Sequence, residues 1–486
     1  MKRVFLYMTV ALLVMTQGVW AQDAAMVNGI AYEFNREDHT AKLVGLSNYG
    51  KYKGDIVVPD YVNYDGTDFA VTIIGDGAFA DAMLTSLQLP KETLRIIEDV
   101  AFTDCTGVTD IEIPEGVTAI GASAFDCLDL EHIHIPASVT KMGVSAVGGP
   151  QLESITMAEG NTHYGVFDGV LMDAAQTDII CYPARKPGST YTIPATVTTI
   201  DRKAFQNLAF LTTLNVPASV AVLDNNTFFS ALSLAEINID PAHTAYCSVD
   251  GVVYSADKET LWLYPAGKPD ETYTIGAATK TIGRTAFSNA VYLQTVIIPE
   301  GVTTIDDSAF FRCSALKNVD FSSSVTSLGM TTFFQCLSLE TIVLPQHLTE
   351  LPIGLLSGCT RLRSVTLQAD VNFIGMSPFL GCDNLEEITC LAITPPSLGL
   401  MPFEGVTVNE ITLYVPDESV DLYKATPIWQ DFIVQPVSQT GIGDAARLNE
   451  TEETKNRNWY TLDGRQLDSK PTKKGVYIHN GVKIHL

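Results

Sequence analysis

The sequence predicts an α/β repeat solenoid: coils of about 23 residues, a parallel β-sheet on one face, short helical turns opposite, and β-rich ends. Three observations carry that expectation. The triplets Gly77-Ala78-Phe79, Val100-Ala101-Phe102 and Ser123-Ala124-Phe125 are spaced by 23 residues. The same phase returns at Ala204-Phe205, Thr227-Phe228, Ala286-Phe287, Ala309-Phe310, Thr332-Phe333 and Pro378-Phe379, within eleven copies, some degraded. Downstream of the Ala-Phe pair, apolar residues alternate and then stop at Pro, as in Ile133, Ile135 and Pro136. Finally, one coil has an apolar side that it cannot bury alone, whereas stacking places Phe on Phe and Ile on Ile.

Each element of the coil follows from its residues. Ile120 to Val139 is the cleanest copy, with Ile120, Ala124, Phe125, Cys127, Leu130, Ile133, Ile135, Pro136 and Val139 at the recurring positions. Alternation over Leu130 to Ile135 predicts a short strand with Ile133 and Ile135 inward and His132 and His134 outward. Pro136 ends it, because Pro cannot donate to the next ladder bond. Phe102, Cys105 and Val108 are spaced by three, which predicts a turn or two of helix on the opposite side. Cys313, Cys336, Cys359 and Cys382 recur every 23 residues, so the odd total of nine Cys reads as a column of buried thiols and not as a disulfide framework.

Two longer coils interrupt the period. Gly165 to Phe205 and Cys247 to Phe287 are copies of each other offset by 82, with Asp168-Gly169-Val170 matching Asp250-Gly251-Val252 and Tyr182-Pro183 matching Tyr264-Pro265. Asp-Gly between β-prone runs signals a hairpin, so hairpin inserts are expected at about 161–197 and 243–279. Residues 22–73 read as an N-terminal β cap, 74–390 as the repeats, 391–436 as a C-terminal cap and 437–458 as a polar linker.

The signature A-F-x-x-C-x-x-L-x-x-I-x-I-P resembles BspA-like leucine-rich repeats over about residues 22–436. Its period lies in the leucine-rich-repeat range. The common repeat carries Asn where this one turns at Pro, so an Asn ladder at the turn is not expected. The resemblance implies a secreted or cell-surface protein of Gram-negative anaerobes, a fold with hairpin variants, and adhesion to host matrix or to other bacteria. Residues 459–486, with Trp459-Tyr460-Thr461-Leu462-Asp463-Gly464-Arg465 followed by Gly475-Val476-Tyr477-Ile478, resemble a short C-terminal sorting domain of type IX secretion cargo.

Charge narrows the partners. With 30 Lys and Arg against 56 Asp and Glu the net charge is −26, which repels nucleic acid and anionic lipid surfaces. Residues 1–21 read as a signal peptide: Lys2 and Arg3, an apolar run from Val4 to Met15, and Val19-Trp20-Ala21 before the cleavage point. That run is too short to span a bilayer, and no transmembrane segment is expected in the mature chain.

No G-x-S-x-G, H-E-x-x-H, P-loop or G-x-G-x-x-G motif is present, so neither enzyme activity nor a cofactor is expected. One set of metal-capable side chains is Asp110, Glu112, His132 and His134, which adjacent strands about 4.8 Å apart bring to one face. The solvated face of a strand is polar in any case. The expected binding surface is therefore the ribbon of outward strand positions: Gln88, Glu112, His134, Thr156, Asn215, Asn238, Ile297, Asp320, Val343, Thr366 and Thr389. Ile297 and Val343 are apolar on either side of Asp320; they read either as one interface patch or as isolated β-branched residues favoured by strand propensity. Two readings follow. One is a protein that binds a host-matrix or bacterial surface protein along this ribbon, and the other is a structural surface component without a specific ligand.

Overall fold

A computed structural model describes residues 23–46 and 50–439, together with four strands between 459 and 485. The chain divides into two compact units, one comprising residues 23–293 with 309–314, the other 294–308 with 315 onward. Each is built as a β-solenoid.

In the first unit, the strand His132–Ile135 pairs in parallel with Asp110–Glu112 on one side and Ser154–Met157 on the other. Ile133 lies between Ile111 and Ile155, and all three are buried. A second parallel ladder runs through the two-residue strands Ile96–Ile97, Ala119–Ile120 and Lys141–Met142. Burial of alternate residues fixes the register, since a one-residue slip would turn the whole apolar set to solvent.

The segment carrying Ala-Phe is not helical, and this corrects the expected α/β description: the molecule is about 5% helix. Two residues four apart hold left-handed backbone, Val100 (φ 47°) and Asp104 (φ 57°) around Ala101-Phe102, and Thr331 (φ 51°) and Gln335 (φ 56°) around Thr332-Phe333. An α-helix needs consecutive right-handed residues, so the pair leaves no room for one. The backbone N–H groups point along the stack instead. Phe79 N donates to Ala101 O at 2.7 Å, and Phe102 N to Ala124 O at 2.8 Å. Among the described residues the segment becomes a 3-10 helix at Asn225–Phe228, where the Asp224 side chain accepts from Asn226 N.

This ladder sets the rings in register. Phe79 stacks on Phe102 at 5.0 Å and Phe102 on Phe125 at 5.2 Å, with planes within 8°. In the second unit Phe379 stacks on Phe403 at 5.9 Å. The Cys column does more than fill space. Cys127 Sγ donates to Phe102 O at 3.3 Å and Cys313 Sγ to Phe287 O at 3.0 Å. In the second unit Cys359 Sγ donates to Phe333 O at 3.1 Å. Each of these carbonyls also accepts from a backbone N–H of its own coil, Phe102 O from Cys105 N at 3.2 Å, Phe287 O from Ala290 N at 3.0 Å and Phe333 O from Cys336 N at 3.3 Å, so the thiol of the next coil is a second donor. None of the nine Cys is in a disulfide, and eight are buried.

Both long coils contain a three-stranded antiparallel meander: Tyr164–Phe167, Val170–Asp173 and Asp178–Cys181, then Tyr246–Val249, Val252–Ser255 and Thr260–Leu263. Their turns use Asp168-Gly169 and Asp250-Gly251, all four residues at positive φ, as a type I′ hairpin requires. After the meander a tyrosine takes the Phe position. Tyr182 N donates to Ala204 O and its ring stacks on Phe205 at 5.3 Å; Tyr264 N donates to Ala286 O and its ring stacks on Phe287 at 4.9 Å.

Antiparallel strands start the first unit, where Phe34 stacks on Tyr64 at 4.4 Å and packs on Phe69 at 4.9 Å. In the second unit the strands Thr412–Val415 and Ile433–Pro436 extend the sheet. There Trp429 is buried edge-on to Phe403 and Tyr423, its indole N–H donating to Pro396 O at 3.1 Å.

Burial pushes the Cys313 thiol up to about 12, so the reactive thiolate is scarce at neutral pH. In unreduced, denatured protein all nine thiols should titrate, while in native protein eight should react far more slowly than Cys247. Finding four disulfides would contradict this. Phe102→Ala should cost about 3–5 kcal/mol through the cavity it leaves, read by chemical denaturation.

Candidate binding surface

The outward strand positions form ribbons in segments. In the first unit Glu112, His134 and Thr156 are register partners on one face. His134 Nδ1 lies 2.9 Å from Thr156 Oγ1, and His132 Nδ1 lies 2.9 Å from Ser154 Oγ. A second segment joins Thr192, Asn215 and Asn238, in which Asn238 Nδ2 donates to Asn215 Oδ1 at 3.1 Å and Asn215 Nδ2 to Thr192 Oγ1 at 2.9 Å. Thr192 escaped the sequence reading because it sits in the hairpin coil, although Tyr191-Thr192-Ile193 repeats the apolar-polar-apolar triplet. Gln88 belongs to a separate pair, with Val57 as register partner.

In the second unit Ile297 pairs with Asp320. Val343, 58% exposed, pairs with Thr366. The strands Asn318–Asp320 and Thr341–Val343 belong to different sheets, so no ladder joins Asp320 to Val343. Thr389 leaves the candidate surface, being only 2% exposed. Its register partner in the next strand is Tyr414, whose large side chain lies on the same face.

The metal-capable set does not converge. Both His rings engage hydroxyls of the following coil, and Asp110 Oδ2 accepts from Thr109 Oγ1 at 2.7 Å. No group of three or more His, Cys, Asp or Glu is placed to hold a metal ion among the described residues. No helix among them is long and apolar enough to cross a membrane.

The BspA type leucine-rich repeat region matches in six copies, over residues 68–167, 186–248 and 280–399, more than half of the chain. The chain belongs to the BspA-type leucine-rich repeat family. No curated protein sequence matches it. Among solved structures it is similar to the pneumococcal vaccine antigen PcpA, with 21% identity, TM-score 0.45, and 85% of this chain and 99% of that one covered. It is also similar to a leucine-rich cell surface protein from Faecalibacterium prausnitzii, with 22% identity, TM-score 0.42, and 76% and 95% covered. A leucine-rich repeat protein from Bacteroides ovatus matches at 20% identity, TM-score 0.32, with 75% and 94% covered.

One further cluster in this BspA-type chain lies where the first hairpin coil rejoins the stack. Asp178 pairs with Thr199, and Ile179 with Ile200, next to Asp201. Burial raises Asp178, and the Asp173 charge adds to it; one Asp178 carboxylate oxygen is buried without a hydrogen-bond partner. Burial also pushes Asp201 up to about 6, reinforced by the Asp178 charge and opposed by a backbone hydrogen bond from Ser145. Two half-buried carboxyls that resist ionising together destabilise the fold when both are charged.

The sign follows from linkage. Below about pH 4 Asp201 is protonated folded and unfolded, and costs nothing. As pH rises to about 6 the unfolded chain ionises first, so stability falls, and above 6 the penalty is complete. Asp201→Asn should therefore raise the melting temperature at pH 7 and leave it nearly unchanged at pH 4. An equal gain at both pH values would contradict this assignment.

Proposed function

We propose that this BspA-type protein is a secreted or cell-surface binding protein that presents its strand ribbons to a protein partner, in adhesion to host matrix or to other cells. The observation that carries the reading is the outward face itself. Glu112, His134 and Thr156 are held in parallel register by inward Ile111, Ile133 and Ile155, so chemistry on the face can vary without disturbing the core. A rigid, laterally extended array of that kind suits recognition of another protein. The net charge of −26 favours partners with basic surfaces over nucleic acid.

Residues 1–21, proposed as a signal peptide, and the proposed linker beyond residue 439 lie outside the described residues. The proposed sorting segment contains the antiparallel strands Trp459–Thr461, Val476–His479 and Val482–His485. We read it as the export or attachment signal of a Gram-negative anaerobe's type IX route, which fits a surface role.

The binding role is tested by applying the full chain to immobilised host matrix proteins and comparing ribbon variants. Asp320→Lys and His134→Glu should each change stability by less than about 0.5 kcal/mol, as exposed positions do, and at least one should weaken capture. Ile297→Ser with Val343→Ser tests the apolar positions in the same assay. Capture unchanged in all three variants would remove the ribbon. No capture by any matrix protein or bacterial surface would favour a structural surface component. Deleting 459–486 should leave the solenoid's melting temperature unchanged and prevent surface delivery.

A further inference from the structure

The strands Met83–Gln88 and Asp110–Glu112 belong to successive coils, yet they part company. They begin together: Thr106 N donates to Ala82 O at 2.9 Å and Leu84 N to Thr106 O at 3.0 Å. At Gly107 they separate. Pro90 follows Phe79 by 11 residues, whereas Pro114 follows Phe102 by 12. Gly107 has φ +82°, and a Cβ there would lie 1.7 Å from the Leu84 carbonyl oxygen, so only glycine fits.

Beyond Gly107, Met83–Gln88 pairs solely with Lys53–Val57, and Asp110–Glu112 solely with His132–Ile135. A wedge of about 630 Å³ opens between them. Backbone direction alternates along a strand. Val58 N donates to Gln88 O, so Gln88 faces the outer pair, and the backbone groups of Leu87 and Leu89 face the wedge. Ile113 N donates to His134 O, so Asp110 and Glu112 turn their backbone groups into the wedge from the other side. No hydrogen bond crosses it. Two strand edges inside one sheet face are thus open, and open edges are templates for pairing.

We infer that this wedge accepts an extended segment of a protein partner, which adds as a strand and carries Lys or Arg side chains. Pairing with either edge supplies main-chain hydrogen bonds, and alternate side chains of the guest read the wall. That wall holds the carboxylates of Asp110, Glu112 and Glu115 against the ammonium of Lys91 and the imidazole of His134. The local excess is acidic, like the chain as a whole, and it selects and steers a basic strand. The inference rests on the reading of the protein as a binding protein and narrows it to one place and one partner chemistry.

The test is selection from a library of displayed random decapeptides against the full chain. Enriched peptides should carry Lys or Arg at alternate positions. A synthetic copy of the strongest should lose at least tenfold in affinity for the Asp110→Lys/Glu112→Lys chain, whose circular dichroism melt should match the parent. The same peptide with alternate backbone amides N-methylated should also lose at least tenfold against the parent chain, which tests strand pairing without altering the protein. Equal affinity for the charge-reversed chain, indifference to N-methylation, or no enrichment would each overturn the wedge as a strand site. Peptide binding that survives the charge reversal but is lost in Ile297→Ser/Val343→Ser overturns the wedge and supports the ribbon. Matrix capture lost with peptide binding intact separates the two in the other direction.

Discussion

Every feature of this protein depends on one constraint: a single coil can satisfy neither its apolar side nor its backbone, so both are completed by the next coil. The Phe turn shows the two requirements met together. Phe102 stacks on the rings before and after it, while its N–H donates to Ala124 O. Ring spacing near 5 Å is the spacing of paired strands, so hydrogen bonding and packing demand the same repeat distance. Ala at the preceding position, buried at Ala101 and Ala124, allows that approach. The thiols add a further link between coils, because the buried Phe102 carbonyl, which accepts from Cys105 N in its own coil, also accepts from the Cys127 thiol of the next.

Much of this was legible in the sequence, because the features concerned repeat with the period of the structure. The Phe and Cys columns and the inward Ile pairs recur at fixed spacing, and spacing alone places them in the core. What stayed hidden depends on the sign of φ or on a neighbour far along the chain. Helical turns were expected from the three-residue spacing of Phe102, Cys105 and Val108, but Val100 and Asp104 hold left-handed backbone without being glycine. A β-branched residue gives no sequence sign of that conformation, which its stacked surroundings impose. The Tyr182 and Tyr264 substitutions for Phe were visible as a repeated pair, but their place in the ring stack was not, because each follows a meander that breaks the count.

The candidate surface was legible to a lesser degree. Alternation identified outward positions correctly at Glu112, His134 and Val343, but it cannot say which strands remain paired. Thr389 fits the pattern and is buried beside Tyr414. Gln88 and Glu112 occupy equivalent positions in successive coils, yet their strands belong to different sheets. The metal set failed for a related reason: shared facing direction does not make side chains converge, and each imidazole found a hydroxyl on the next coil. A solenoid built this way fixes its core closely and leaves its face free to change, and departures from the repeat are where recognition can be specific.

Hydrogen exchange resolved at single amides in the native protein tests the central claim most directly. If coils complete one another, the amides that reach the next coil, Val100, Phe102 and Asp104, should exchange only with global unfolding. Thr103, whose N–H donates within its own coil to Val100 O, should exchange faster than its neighbours on either side. Uniform protection across residues 100–105, as a helix would give, or rapid exchange at all of them, would contradict the account.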